Sequence, residues 1–134
     1  MAIEFYGPTG NPYAIVIRRS ERVEGIEFFS PSTFPQQIGL MSRPAGYVVK
    51  PHRHNLVERT INLTQEVLFI RKGKCLVTIY DEDIQEIDKI ELLDGDTILL
   101  SHGAHGIDMQ ADCEILEVKQ GPYAGDQDKT ILEG

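Results

Sequence analysis

From Glu66 to Tyr80 the chain reads EVLFIRKGKCLVTIY. Two apolar runs rich in β-branched residues, EVLFI (66–70) and CLVTIY (75–80), flank Arg71-Lys-Gly-Lys74. Gly73 can take a positive φ without a Cβ clash, so the reading is two strands joined by a hairpin turn. The pattern continues on both sides. AIVI (14–17), GIEFF (25–29), GYVV (46–49), DTILL (96–100) and EILEV (114–118) are short β-forming runs, while DED (81–83) and Asp94-Gly95 supply further turns. No window keeps a helical period. Short strands separated by turn signals predict an all-β sandwich or barrel.

The chain has 134 residues, the size of one domain. Gly7, Pro8, Gly10 and Pro12 mark residues 1–12 as an N-terminal arm, and the polar stretch 121–134 as a tail. Within that tail, Gly121-Pro-Tyr-Ala-Gly125 is expected to turn the chain or to close over a barrel mouth. A net charge of −8 argues against nucleic acid and anionic membrane as partners, since both require a basic footprint. MAIEFYGPTG has neither the basic nor the apolar region of a signal peptide, and no run is long enough to span a bilayer. Cys75 and Cys113 form no CxxC pair, so the expectation is two reduced core thiols in a cytoplasmic protein. Phe28, Phe29, Phe69 and Met41 are expected at core or dimer contacts, and Tyr13 and Tyr80 in packing. An open barrel edge and the N-terminal arm favour a homodimer.

Four histidines are present, and two of them, His52 and His54, end GYVVKPHRH (46–54). On a strand, residues two apart face the same way, so both imidazoles would project together and Arg53 would point opposite. Lys50 shares their parity and is the better cation for a pocket; Arg43 is the other candidate. A metal needs three or four protein ligands. Further donors stand at Glu66, which opens its strand, and at His105 in SHGAHG (101–106). Glu58 and His102 are alternatives at nearby positions.

These residues carry a resemblance. Gly46-x5-His52-x-His54 followed by Glu66-x6-Gly73 resembles the first cupin motif, and Gly95-x5-Ser101-x-Gly103-x-His105 resembles the second. The match covers residues 46–105 and departs from the pattern in three places. Eleven residues separate His54 from Glu66 where the family has three or four. Ser101 stands where the family has proline, and one residue is missing before His105. The resemblance implies a double-stranded β-helix, the cupin or jelly-roll barrel. It also implies one divalent transition metal (Fe, Mn, Ni, Co or Zn) held by His52, His54, Glu66 and His105.

The function implied is metal-dependent chemistry on a small polar molecule. The reaction would be of the isomerase, epimerase or dioxygenase type, with Lys50 and His54 as catalytic groups and carbohydrate metabolism suggested by family analogy. One alternative is a metal-free sugar-nucleotide ketoisomerase or epimerase using histidine as base. Another is a non-catalytic ligand-binding or accessory protein. No phosphate-loop pattern and no nucleophile elbow occurs.

Overall fold

The computed structural model describes residues 3–132. It contains ten strands: β1 (Glu4–Tyr6), β2 (Ala14–Ile17), β3 (Gly25–Phe28), β4 (Gly39–Ser42), β5 (Glu66–Lys72), β6 (Lys74–Tyr80), β7 (Glu86–Leu93), β8 (Thr97–Leu100), β9 (Ala104–Met109) and β10 (Glu114–Lys119). A single turn of 3₁₀ helix covers Gly125–Gln127. Every strand pairing is antiparallel. One sheet has the order β1-β2-β8-β5-β10 and a second β7-β6-β9, while β3 and β4 form a separate pair.

The two larger sheets share an interior. Leu68 and Ile70 of β5 and Ile98 of β8 lie in one buried cluster with Val77 and Ile79 of β6 and Leu92 of β7. Behind β2 and β8, Ile15, Ile17 and Leu99 are covered by Phe34 and Ile38 from the β3–β4 connection. The middle of the five-stranded sheet is therefore buried on both faces. That is why AIVI (14–17) is an unbroken apolar run with all four residues buried, whereas half-solvated strands alternate.

The turn at Gly73 is a corner rather than a hairpin. One residue separates β5 from β6, yet β5 pairs with β8 and β10, and β6 with β7 and β9. Leu68 and Ile70 on β5, and Cys75, Val77 and Ile79 on β6, form two apolar faces. Side by side in one sheet these faces could not cover each other; folded over at Gly73 they do. Gly73 has φ +115°, and a Cβ there would lie 2.7 Å from Cys113 Sγ. Asp94-Gly95 makes the matching corner from β7 to β8, with the Gly95 N–H donating to Ile70 O at 2.6 Å. The acidic turn at 81–83 does close a hairpin, β6–β7, and the Asp81 carboxylate accepts from the N–H groups of Asp83 and Gln85.

The structure departs from two other expectations. Residues 1–12 are not simply an arm, because β1 completes the edge of the five-stranded sheet by pairing with β2. GYVV (46–49) is not a strand: residues 43–64 contain no strand or helix, and all are exposed. Pro44 and Pro51 remove ladder donors. The segment starts in a turn, Tyr47 N–H to Pro44 O at 3.1 Å, with the Arg43 guanidinium 4.4 Å over the Tyr47 ring. Cys75 is buried as expected, and Cys113 is half-buried.

Candidate functional site

Alternation along three strands builds the site. On β5, Glu66 shares the inward parity of Leu68 and Ile70; on β9, His105 shares that of Ile107. On β10, Glu117 and Lys119 follow Ile115, which packs on the core. These polar ends of inward faces converge where the apolar filling stops. Glu66 and His105 come from different sheets and meet there, with His105 Nε2 donating to Glu66 Oε1 at 2.8 Å. A cavity of about 260 Å³ opens beside them, lined by Thr64, Ser101, Lys119 and, from the tail, Asp128 and Lys129.

The electrostatics follow from that geometry. The hydrogen bond from His105 holds the Glu66 carboxyl far below its ordinary 4.5, at about 2, against the opposing effect of burial. Glu117 is pushed the other way, chiefly because it hydrogen-bonds to Glu66 and two adjacent carboxylates resist joint ionisation. Lys119 lies opposite Glu66 in the β10–β5 register, and its Nζ is 3.3 Å from Asp128 Oδ2. That contact raises its pKa and keeps the ammonium charged.

A buried amide fixes the strand that carries Glu66. Gln65 is fully buried; its Nε2 donates to Ser101 Oγ at 2.9 Å, and its Oε1 accepts from Gln36 N–H at 3.1 Å. Its own N–H donates to Gln120 Oε1 at 2.6 Å. Ser101 also uses its backbone N–H, donated to Tyr13 O at 2.8 Å. Proline at this position could make neither of the Ser101 bonds.

Of the residues expected at a site, the structure brings Glu66 and His105 together. His52 and His54 lie on the exposed 43–64 segment, with their rings edge to face and centroids 5.4 Å apart. His52 Nδ1 is 2.7 Å from Lys50 O. Lys50 and Glu58 sit on the same segment, exposed. The two rings are adjacent, but the strand whose alternation was expected to bring them to one face does not form. His102 lines the same cavity as Glu66 and His105, with both ring nitrogens engaged: Nδ1 is 2.7 Å from Glu82 Oε1 and Nε2 is 2.9 Å from Asn11 O, while the ring packs 4.4 Å from Tyr13. Among the described residues, no group of three or more His, Cys, Asp or Glu side chains is placed to hold a metal ion.

Lys119, Glu117, Gln65 and Asp128 are the site residues that sequence reading passed over. The signal for the first two was present in EILEVK (114–119), where Glu117 and Lys119 keep the parity of Ile115. Nothing local marks Gln65 or Asp128. Among the described residues, no helix is long and apolar enough to cross a membrane. Comparison of the chain with protein-family models, with curated proteins and with solved structures returns no match.

Proposed function

We propose that the chain is a cupin-type protein, its sandwich a double-stranded β-helix, acting with a divalent transition metal on a small polar molecule. Isomerase, epimerase or dioxygenase chemistry in a cytoplasmic homodimer is the form this takes. The observation that carries the reading is the Glu66–His105 contact. A carboxylate oxygen and an imidazole nitrogen, from different sheets, converge at 2.8 Å in a cavity mouth. Adjacent ligands on a metal with bonds of about 2.1 Å stand roughly 3 Å apart, so this spacing suits two ligands of one ion.

The other two proposed ligands, His52 and His54, do not reach that pair within one chain. The four residues therefore do not fit one ion as a single chain is folded. The chain's own groups supply charge and shape. Lys119 offers a fixed cation to a carboxylate or phosphate on the substrate, in competition with Asp128. The cavity, about 260 Å³, suits a molecule of monosaccharide size, and the carbohydrate assignment rests on motif likeness alone. Lys50 and His54 are the proposed catalytic groups on the exposed segment.

Elemental analysis of purified, untagged protein tests the metal. About one transition metal per chain is expected, lost in Glu66→Ala and in a His52→Ala/His54→Ala double variant. Full occupancy in both variants would sink the assignment.

A second reading is favoured by one detail. His105 gives Nε2 to Glu66, and among the described residues Nδ1 has no hydrogen-bond partner. A carboxylate-oriented imidazole with a free nitrogen is the arrangement of a general base. In that case turnover of a keto-sugar nucleotide would survive chelation and vanish in His105→Ala.

A further inference from the structure

The outer face of the five-stranded sheet is covered by Phe34 and Ile38 over Ile15, Ile17 and Leu99, but one end of it is open. There a row of side chains crosses three strands, with Thr97 of β8 opposite both Ile17 of β2 and Phe69 of β5. This row is the floor of a cavity of about 470 Å³, with Leu40 of β4 in its wall. Alternation along β5 turns Phe69 away from Glu66 and Leu68. The cavity and the Glu66–His105 mouth therefore open on opposite faces of the same strand.

Two residues along from each member of that row stand Arg19, Gly95 and Arg71, which also line the cavity. Gly95 leaves room between the two arginines, and the Arg19 stem fills part of it: a Cβ on Gly95 would lie 2.6 Å from Arg19 Cδ. The Arg19 N–H donates to Asp96 Oδ1 at 2.9 Å, which fixes where that stem begins. Residues 18–21 form a turn closed by the Glu21 N–H on Arg18 O at 3.0 Å. Arg22 follows it, and its Nη1 donates to Arg19 O and Glu21 O at 2.8 Å each. Both guanidiniums are thus placed by glycine packing and backbone bonds rather than by counter-ions.

The charge balance of this wall is the reverse of the chain's. The protein has 21 acidic and 13 basic side chains, yet Arg18, Arg19, Arg22 and Arg71 line the cavity against Glu21 and Asp94 alone. Arg18 is paired with Glu4 and Asp96. Arg71 meets Glu114 at 3.1 Å in a solvated pair, which a ligand can share at little cost. Asp94 accepts the Gly73 N–H at 2.6 Å, and Glu21 the Arg22 N–H at 3.3 Å. Among the described residues, neither Arg19 nor Arg22 has an ion-pair partner. Two unpaired guanidiniums match a dianion, and a phosphate monoester carries nearly that charge at neutral pH. A carboxylate would leave one of them unmatched. The half-exposed ring of Phe69 offers a surface to a flat, apolar body. We propose that this cavity binds a small phosphate monoester carrying a ring, with the phosphate at Arg19 and Arg22, Arg71 at the rim, and the ring on Phe69. The volume is that of an ordinary small-molecule site. Neither a metal nor the mouth on the opposite face takes part.

Phenyl phosphate is the probe, titrated into the full ¹⁵N-labelled chain and followed by amide shifts. Saturable shifts are expected at Arg19, Phe69 and Gly95, with a dissociation constant below about 1 mM. Inorganic phosphate, which lacks the ring, and benzoate, which lacks the second charge, should each bind about tenfold more weakly. Arg19→Gln/Arg22→Gln should weaken phenyl phosphate by about tenfold or more; both side chains are exposed, so the fold is retained. Phe69→Ala should bring phenyl phosphate down to the affinity of inorganic phosphate. No saturation by about 10 mM would overturn the site. So would shifts centred on Lys119 and Lys129 at the mouth, or undiminished affinity in the double-arginine variant. Equal affinity of the wild-type chain for phenyl and inorganic phosphate would overturn the assignment of the ring to Phe69 and, with it, the ligand class.

Discussion

His105 Nε2 and Glu66 Oε1 lie 2.8 Å apart although their strands belong to different sheets, and this bond bridges the mouth of the sandwich. Each partner continues the inward face of its own strand past the point where apolar side chains end. The bond is thus the outermost layer of the core as well as the innermost layer of the candidate site. Its double position makes it testable through stability as well as activity.

Glu66→Gln is expected to cost about 1–2 kcal/mol at neutral pH, less than the full shift implies because the site is partly solvated. The sign follows from a folded value of about 2 against an ordinary 4.5. The carboxylate stabilises the fold fully above pH 4.5 and loses that contribution as pH falls towards 2. Urea denaturation of both proteins from neutral pH into acid should show the difference shrinking.

Glu117→Gln should act in the opposite direction. Joint ionisation of the two neighbouring carboxylates is resisted, which raises the Glu117 pKa, and once both are charged they repel. An amide can donate to Glu66 at every pH. Because Glu117 is exposed, the expected gain is below about 1 kcal/mol, seen at neutral pH and absent in acid. A loss of stability at neutral pH would contradict repulsion between the two carboxylates.

Proline at position 101, as in the motif that this stretch resembles, tests what Ser101 does. Ser101→Pro removes the N–H bonded to Tyr13 O and the hydroxyl bonded to Gln65, and should cost about 2–4 kcal/mol; Ser101→Ala, which keeps the N–H, about 1–2. Equal losses in the two variants, by thermal or chemical melting, would show the backbone bond to be dispensable.

Asp96 is the most consequential polar residue away from the site. Its buried carboxylate accepts from Arg19 N–H and Leu93 N–H at 2.9 Å each and pairs with Arg18 at 3.0 Å. Arg18 also reaches Glu4 at 2.7 Å, tying β1, β2 and the β7–β8 corner together. Asp96→Ala strands these donors and should destabilise by about 3 kcal/mol in a denaturant titration. Glu4→Ala, breaking a part-solvated pair with Arg18 and the hydrogen bond from the Tyr6 hydroxyl, should cost about 1–2 kcal/mol.

Strand positions were legible at most of the short apolar runs, as at 66–70, 75–80 and 96–100, but not at 46–49, and the more polar β1, β4, β7 and β9 were passed over. Which strands pair was not. Gly73 reads as a hairpin because a single glycine between two strands is compatible with either a hairpin or a corner, and only the need to cover both apolar faces selects the corner. The site was half legible. Glu66 and His105 are set by parity within strands that form, whereas GYVVKPHRH has strand composition but finds no ladder within its own chain. Gln65, buried yet adjacent to a polar turn, has no local signature, since its partners Gln36, Ser101 and Gln120 are distant in sequence.

The sheet order has a bearing on how the protein is made. β2 pairs with β1 beside it in sequence, but its other neighbour is β8, with Val16 opposite Ile98. During synthesis the wholly apolar AIVI stretch must wait for most of the chain before that edge is covered. Pairings of such long separation fold slowly. Until β8 has been made, this apolar stretch is covered on one side alone, and a scarcity of chaperone should lower the yield of folded protein.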